Sequence, residues 1–309
     1  MIVRPFVAAA LGAETLALVA ALTLVVDFRA HRASEQLGGV NIWGYRGAVM
    51  LQKAPNEIRI AVVGGTLAFG WGVAASETLA PNLAFQSAIV FDAPGRPAHR
   101  VTGVNLGAEG LSPSGYASRL ESYRYLLPDI VCIYIDPPGL PTGRAFLPRE
   151  ESVVFASTGY VPMLPLVLID KGTSTGSSAM AGAGRLLERL DRVTYRALYG
   201  QRPVYMASGP DPIEQTVRVA LRFARGVVVI APPYTDDSGD VSMHQALAAM
   251  VASTFHDEPR VRFIDLGDVD ELADDGLKLD ELNFSAAGHS RIAGQVAPVV
   301  LDLIQASRG

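Results

Sequence analysis

The chain has 309 residues, of which 49% are hydrophobic and 18% charged, and its net charge is −5. A disordered chain would be more polar, and a nucleic-acid-binding domain would carry clustered Lys and Arg, so the composition argues against both classes. The single cysteine, Cys132, excludes an internal disulfide and a multi-cysteine zinc site. The length is sufficient for one large domain or two small ones.

The most apolar part of the chain is its N-terminus, where residues 6–26 contain one charged side chain, Glu14. As a helix this run would be about 31 Å long, which matches the roughly 30 Å hydrocarbon core of a bilayer. A cleaved signal peptide is the main alternative, but the run is long for one and no small-x-small cleavage site follows it. We therefore predict a single transmembrane anchor over residues 1–33 and a juxtamembrane linker over residues 34–57.

Two residues of the predicted anchor indicate contact with other transmembrane helices. Glu14 lies near the middle of the run, and an ionisable group at that depth usually faces protein rather than lipid. The plainer alternative is a protonated Glu that a single span tolerates. Gly12 lies among alanines, and small residues allow helices to approach closely. The predicted partners are thus the lipid bilayer and the transmembrane helices or subunits of a membrane complex, with no nucleic acid.

The residues that flank the predicted anchor leave its orientation and surroundings open. Basic residues occur on both sides in nearly equal number, so the positive-inside rule does not choose an orientation. Trp43 and Tyr45 follow the anchor as candidate interface residues. Their rings would rest at the headgroup level or pack onto the globular domain, and both alternatives stay open at this point.

Residues 58–309 alternate short, β-branched apolar runs with helical patterns. Such runs are typical of buried parallel strands, and their alternation with helices predicts a three-layer α/β/α sandwich with a five-stranded parallel sheet of the flavodoxin type. A long insertion at residues 140–225 separates the third and fourth strands and is expected to form a lid or packing subdomain. The five predicted strands are residues 58–63, 100–105, 129–135, 226–230 and 261–265.

The first strand ends in a glycine-rich segment, residues 64–72, with the sequence GGTLAFGWG. Function in an open parallel sheet lies at the carboxyl ends of the strands, so this segment is the first place to look for a site. Its spacing fits neither the dinucleotide-binding fingerprint nor the P-loop, since no Lys-Ser/Thr pair follows the glycines. We therefore expect no nucleotide, no other cofactor and no metal ion.

Four segments, in this order along the chain, resemble membrane-anchored SGNH (GDSL-type) hydrolases. In that family a serine attacks an acyl carbon, a histidine accepts its proton and an aspartate orients the histidine, while backbone amides and an asparagine hold the oxyanion. The resemblance is strong over residues 41–90, moderate over residues 100–140 and 261–304, and lacking over residues 141–225. The segments are residues 41–46 (NIWGYR), 64–72 (GGTLAFGWG), 105–110 (NLGAEG) and 280–289 (DELNFSAAGH).

At the functional positions implied by this resemblance, the chain carries different residues. The nucleophile position holds Thr66, the histidine position Asn283 and the asparagine position Pro138. An amide is not a general base near neutral pH, and a proline has neither a side-chain donor nor an N–H. Loss of a triad base or nucleophile typically lowers the rate by about 10⁴–10⁶. The second-block glycine, Gly107 or the nearby Gly110, and the aspartate Asp280 are retained.

Three further positions depart from the family, and no other histidine is expected to replace the missing base. Gly65 stands where the family has the aspartate before its nucleophile, while Asp136 and Gly139 stand at the glycine and the aspartate of the third block. The histidines are all expected to be surface or capping residues: His31, His99, His244, His256 and His289.

These observations favour a non-catalytic, SGNH-like single-pass membrane protein that acts as a structural or docking subunit of a larger membrane complex, for example a bioenergetic or photosynthetic one. The alternative is a membrane-anchored esterase or O-acyltransferase that acts on cell-envelope polysaccharide or lipid through Thr66. The resemblance also implies a bacterial cytoplasmic membrane with the soluble domain on the periplasmic side. A basic side chain hydrogen-bonded to the Thr66 hydroxyl in an open pocket would favour the enzyme.

Overall fold

The structure is a computed structural model that describes residues 3–37, 39–91, 100–137, 210–234 and 239–307. Most of the insertion at residues 140–225 lies outside the described residues. This includes residues 184–199, whose apolar spacing predicts an amphipathic helix.

The described strands form one parallel sheet with the order β2-β1-β3-β4-β5, which is the order of flavodoxin-like folds. This confirms the predicted parallel α/β class and each of the five predicted strands to within two residues. The strands are β1 (Glu57–Gly64), β2 (Arg100–Asn105), β3 (Ile130–Tyr134), β4 (Gly226–Ala231) and β5 (Val261–Asp265).

Helices cover both faces of the sheet and complete the three layers. Alternate residues of each strand point to opposite faces, so Ile60 and Val62 pack into one half of the core while Ala61 and Val63 pack into the other. The first half is covered by α3 (Leu79–Phe91) and α7 (Ala286–Ala306). The second half is covered by α4 (Pro113–Ser122), α5 (Pro210–Ala220) and α6 (Gly239–Thr254), and α2 (Thr66–Phe69) is a single turn after β1.

A buried ion cluster lies at the amino edge of the sheet, where β1 and β3 begin. The guanidinium of Arg59 donates to Glu57 at 2.7 Å and to the carbonyl oxygens of Leu51 and Leu126. Asp129 accepts hydrogen bonds from the Arg59 N–H at 2.8 Å and from Lys53 at 2.6 Å. Burial raises the pKa of the Glu57 carboxyl, but the hydrogen bonds from Arg59, Ala54 and Thr102 outweigh it and lower this pKa to about 2.

The segment after the first helix packs against the domain. Tyr45 is 1% exposed and lies in the core, and Trp43 is half-buried against it. Packing onto the domain is therefore the alternative that the structure shows for both rings. The guanidinium of Arg46, which is also buried, donates to the carbonyl oxygens of Phe69 at 2.8 Å, Gly70 at 2.7 Å and Val73.

The N-terminal helix, α1 (Val3–Leu37), is longer than the predicted span. It contains the segment Ala9–Ala30, whose mean hydropathy is 2.1 and whose most apolar window is not buried against the rest of the chain. A helix of this length and composition is compatible with a membrane anchor and with a signal sequence. Helix α1 contacts the short 3-10 helix Ala75–Glu77, and its Asp27 is only 3% exposed.

Candidate active site

Thr66 begins the turn that follows β1, at the carboxyl edge of the sheet. Its hydroxyl accepts a hydrogen bond of 3.3 Å from the N–H of Gly110, which has a φ of 68° that favours glycine. Across the part of the chain that the structure describes, no basic side chain forms a hydrogen bond with Thr66. The contact that would activate this hydroxyl as a nucleophile is therefore not among its described contacts.

The carboxylate of Asp136, two residues beyond β3, takes up the backbone donors beside Thr66. Its Oδ2 accepts the N–H of Thr66 at 2.7 Å, and its Oδ1 accepts the N–H of Leu67 at 3.0 Å. In acyl transfer the backbone N–H of the nucleophile commonly holds the developing oxyanion. An internal carboxylate thus occupies a donor that an enzyme of this type would present to its substrate.

Gly65 and Asp136 fit each other sterically. A Cβ atom on residue 65 would overlap Asp136 Oδ2 and would lie 2.7 Å from the carbonyl oxygen of Leu111. The residue before Thr66 must therefore be small for the Asp136 carboxylate to reach the two N–H groups. The residues at positions 65 and 136 are therefore structurally coupled.

Burial raises the pKa of Asp136 to about 6, and the hydrogen bonds from Leu67 and Thr66 lower it by less. Tyr134 and Tyr116 are both fully buried close by. Their phenol pKa values are raised, first by burial and then by the negative charge of Asp136. Both phenols therefore stay protonated near neutral pH and supply no base to this part of the site.

The two glycines predicted for the second block have different roles. The N–H of Gly107 donates to Asn105 Oδ1 at 2.8 Å, and a Cβ atom there would overlap the backbone of Phe69. Gly107 therefore allows the loop after β2 to pack closely on α2, and its N–H already has a partner. It is Gly110 whose N–H faces the Thr66 hydroxyl.

Asp280 and Asn283 form the pair that the last block predicts. The amide Nδ2 of Asn283 donates to both carboxylate oxygens of Asp280, at 2.9 and 3.1 Å. These bonds, together with backbone N–H groups of Asn283 and Leu282, lower the pKa of Asp280. Asp280 thus orients the Asn283 amide as it would orient an imidazole. The Asn283 Oδ1 is buried and has no hydrogen-bond partner.

Two histidines were expected at the surface or at helix caps, and for these two the expectation is wrong. His289 is 1% exposed on the inner face of α7, one turn before Ile292 and two turns before Val296. Burial and then the charge of Arg46 lower its pKa to about 4, and neither ring nitrogen has a hydrogen-bond partner. In the sequence, His289 lies at helical spacing from Ile292 and Val296, and this spacing predicts that His289 is buried on the same face of the helix.

His244 is the second buried histidine, and it is paired. Its Nδ1 lies 2.6 Å from Asp265 Oδ1 at the end of β5, and the Tyr234 ring lies 4.6 Å from its own ring. The strands β3 and β4 separate β5 from β1. At about 4.8 Å per strand the dyad lies about 14 Å from Thr66 along the sheet, which is too far for a direct proton transfer.

The remaining predicted site residues either lie outside the described residues or are exposed on α1. Pro138 lies outside the described residues, as does His99. Gly12 and Glu14 are both exposed on α1. Among the residues that the structure describes, no group of three or more His, Cys, Asp or Glu side chains is arranged to hold a metal ion.

No protein-family model matches the chain, and no curated protein matches it. Solved structures do align with it over most of its length. A family 3 carbohydrate esterase from Clostridium thermocellum is 14% identical with a TM-score of 0.42, and the alignment covers 82% of this chain and 100% of the esterase. An acetylxylan esterase from Geobacillus stearothermophilus is 15% identical with a TM-score of 0.41, and the alignment covers 82% and 96%.

A protein of the G-D-S-L family from Desulfitobacterium hafniense is 12% identical with a TM-score of 0.41, and this alignment covers 78% of the chain and 98% of that protein. Identities and TM-scores of this size concern the overall fold. They carry no conclusion about activity, which has to come from the residues around Thr66.

Proposed function

We propose that this chain is a non-catalytic, SGNH-like, single-pass membrane protein that acts as a structural or docking subunit of a larger membrane protein complex. It would reside in the cytoplasmic membrane of a bacterium with its α/β domain on the periplasmic side. The observation that carries the loss of catalysis is the Asp136 carboxylate, which accepts the N–H groups of Thr66 and Leu67.

An acyl oxyanion and the Asp136 carboxylate would compete for the same donors. Two unit negative charges about 4 Å apart repel by about 4 kcal/mol at an effective dielectric constant of 20, so both would not bind together. With a pKa raised to about 6 by burial, Asp136 is mostly ionised at neutral pH. The donors beside Thr66 are therefore already satisfied by the protein itself.

The proton-transfer part of the site supports the same proposal. Where a hydrolase needs an imidazole, Asp280 orients the amide of Asn283, which has no useful basicity. The His244–Asp265 pair is complete but lies across two strands from β1. Thr66 is left with a backbone N–H as its described partner.

The structural role is proposed from α1. Its segment Ala9–Ala30 is apolar, and the most apolar window of this segment is not buried against the described domain, so a membrane or a partner would cover that window. Glu14 is exposed on this segment, and an ionisable side chain at mid-membrane is costly unless it faces protein. A neighbouring transmembrane subunit would provide that contact.

The esterase alternative makes Thr66 indispensable, so turnover of p-nitrophenyl acetate tests the proposal. We expect the full-length protein in mild detergent, its Thr66→Ala variant and the control Thr15→Ala on α1 all to hydrolyse the ester at the background rate of the protein-free detergent. Turnover that exceeds background and disappears only in Thr66→Ala would contradict the proposal and favour an acyl-transfer enzyme.

A further inference from the structure

The C-terminal end of α1 is tied to the carboxyl edge of the sheet by a short connection. Helix α1 ends at Leu37, and Val40 already pairs with Arg46, which in turn pairs with Asn105 at the end of β2. Three residues of extended chain span at most about 11 Å. The end of α1 therefore lies within about 11 Å of the segment that is paired to this edge.

The segment that follows this connection is firmly held rather than loosely attached. The Arg46 guanidinium bonds the carbonyl oxygens of Phe69 and Gly70, and Arg119 donates to the carbonyl oxygen of Gly44 at 2.9 Å. Helix α1 itself contacts Ala75–Glu77, which follows the Thr66 turn. The loop after β1 and helix α1 are thus neighbours.

Two large apolar side chains are exposed on loops at this same edge. Trp71 is 49% exposed and Leu279 is 51% exposed. The two loops touch, because a Cβ atom on Gly72 would lie 2.7 Å from Leu279 Cδ1. The Trp71 ring is supported from within by stacking on Phe69 at 6.4 Å. An exposed Trp beside a membrane span is typical of the headgroup layer, where its ring is half in apolar surroundings.

We propose that Trp71 and Leu279, here called the Trp71 patch, rest in the headgroup layer of the membrane that α1 spans, so that the Thr66 edge of the domain faces the bilayer. The inference rests on the proposed function, because it requires α1 to be a membrane anchor. Glu77, Glu109 and Glu281 are exposed on loops at the same edge. The lipid surface in contact is therefore zwitterionic, since anionic lipid would be repelled by these carboxylates.

Tryptophan fluorescence tests this placement directly, since Trp43 and Trp71 are the two tryptophans of the chain. The full-length Trp43→Phe variant, which retains Trp71, is reconstituted into phosphatidylcholine vesicles with and without a headgroup spin-labelled lipid. We expect the spin label to quench Trp71 fluorescence by about twofold. Replacing part of the phosphatidylcholine by phosphatidylglycerol should reduce the quenching.

The matched control carries its single tryptophan at the opposite edge of the domain, in Trp43→Phe/Trp71→Phe/Asp257→Trp. Asp257 is exposed in the turn that precedes β5 at the amino edge, so we expect little quenching there. One result would overturn the inference while leaving the anchor intact. The vesicles would retain the protein after an alkaline carbonate wash, but Trp71 would be quenched no more than this control. Release of the protein by the wash contradicts the anchor itself.

Discussion

The two edges of the sheet treat their buried polar groups differently. At the amino edge, Arg59, Glu57 and Asp129 form a cluster in which each charge has a charged partner and further hydrogen bonds. At the carboxyl edge, several buried polar atoms have no hydrogen-bond partner in the described chain: Arg46 Nε, Arg119 Nη1, Asn283 Oδ1, His244 Nε2 and both ring nitrogens of His289.

This difference separates residues that stabilise the fold from polar residues that lie where this topology usually binds ligands. Buried charges stabilise a fold only when they are paired, which is the condition that the amino edge meets. Unpartnered buried polar atoms cost free energy, and they concentrate at the edge where this topology places its ligands. The polar residues of the carboxyl edge are therefore not explained by stability alone. Removing an unpartnered polar group there should cost much less stability than breaking the paired cluster at the amino edge.

The largest expected effect is at the amino edge. Replacing Arg59 by Met leaves Glu57 buried without its cation, so we expect the free energy of unfolding to fall by about 3–5 kcal/mol. Denaturant unfolding of the full-length chain measures this. The matched control is Arg260→Met, which breaks the more exposed pair with Glu258 and should cost at most about 1 kcal/mol. Equal losses in the two variants would show that the amino edge has no special role.

The second effect is the pH dependence of stability caused by Asp136. Because burial raises its pKa to about 6 in the folded state, the folded chain binds this proton more tightly than the unfolded chain, whose Asp pKa is 3.8. Stability should therefore fall as pH rises from about 4 to about 6, by at most about 3 kcal/mol, and then level off. Asp136→Asn should flatten this part of the profile. An unchanged profile in Asp136→Asn would rule out Asp136 as its origin.

The coupling between Gly65 and Asp136 gives a third, smaller effect. A methyl group on residue 65 overlaps the Asp136 carboxylate, so we expect Gly65→Ala to cost about 2 kcal/mol, and clearly less in an Asp136→Gly background. Gly294→Ala is the control, because its nearest neighbour would be 3.5 Å away and a helical Ala should stabilise α7 slightly. Additive effects of the two substitutions would disprove the coupling.

The smallest effect is at His289, whose ring nitrogens are both unpartnered. Removing an unsatisfied buried polar group is nearly neutral or favourable, so His289→Leu should change the free energy of unfolding by less than about 1 kcal/mol or raise it. Asn105→Ala, which removes a side chain with hydrogen bonds to Phe69, Thr78 and Gly107, should instead destabilise by about 1–3 kcal/mol. If His289→Leu lowered the free energy of unfolding more than Asn105→Ala did, the expectation that the unpartnered His289 ring contributes little to stability would be wrong.

The sheet could be predicted from the sequence because each strand is a short apolar run bounded by turns. Strand β5, Val261–Asp265, matches its prediction residue by residue. The last helix begins at Ala286 because Ser285 caps it, accepting the Gly288 N–H.

The contacts of the candidate site could not be predicted in the same way. The bonds from Thr66 and Leu67 to Asp136 join residues about 70 positions apart, and they depend on the pairing of β1 with β3. The His244–Asp265 pair likewise depends on how α6 packs against β5. Sequence spacing identifies residue types at strand ends but not which of their polar atoms meet.

The most direct test of a docking role is purification of the full-length chain from its native membranes in mild detergent. We predict that the wild type, and the control Thr23→Val whose hydroxyl bonds within α1, retain a stoichiometric membrane-protein partner that Glu14→Leu loses. A wild-type chain that purifies alone, or a Glu14→Leu chain that keeps every partner, would contradict the proposed role of α1 in a membrane complex.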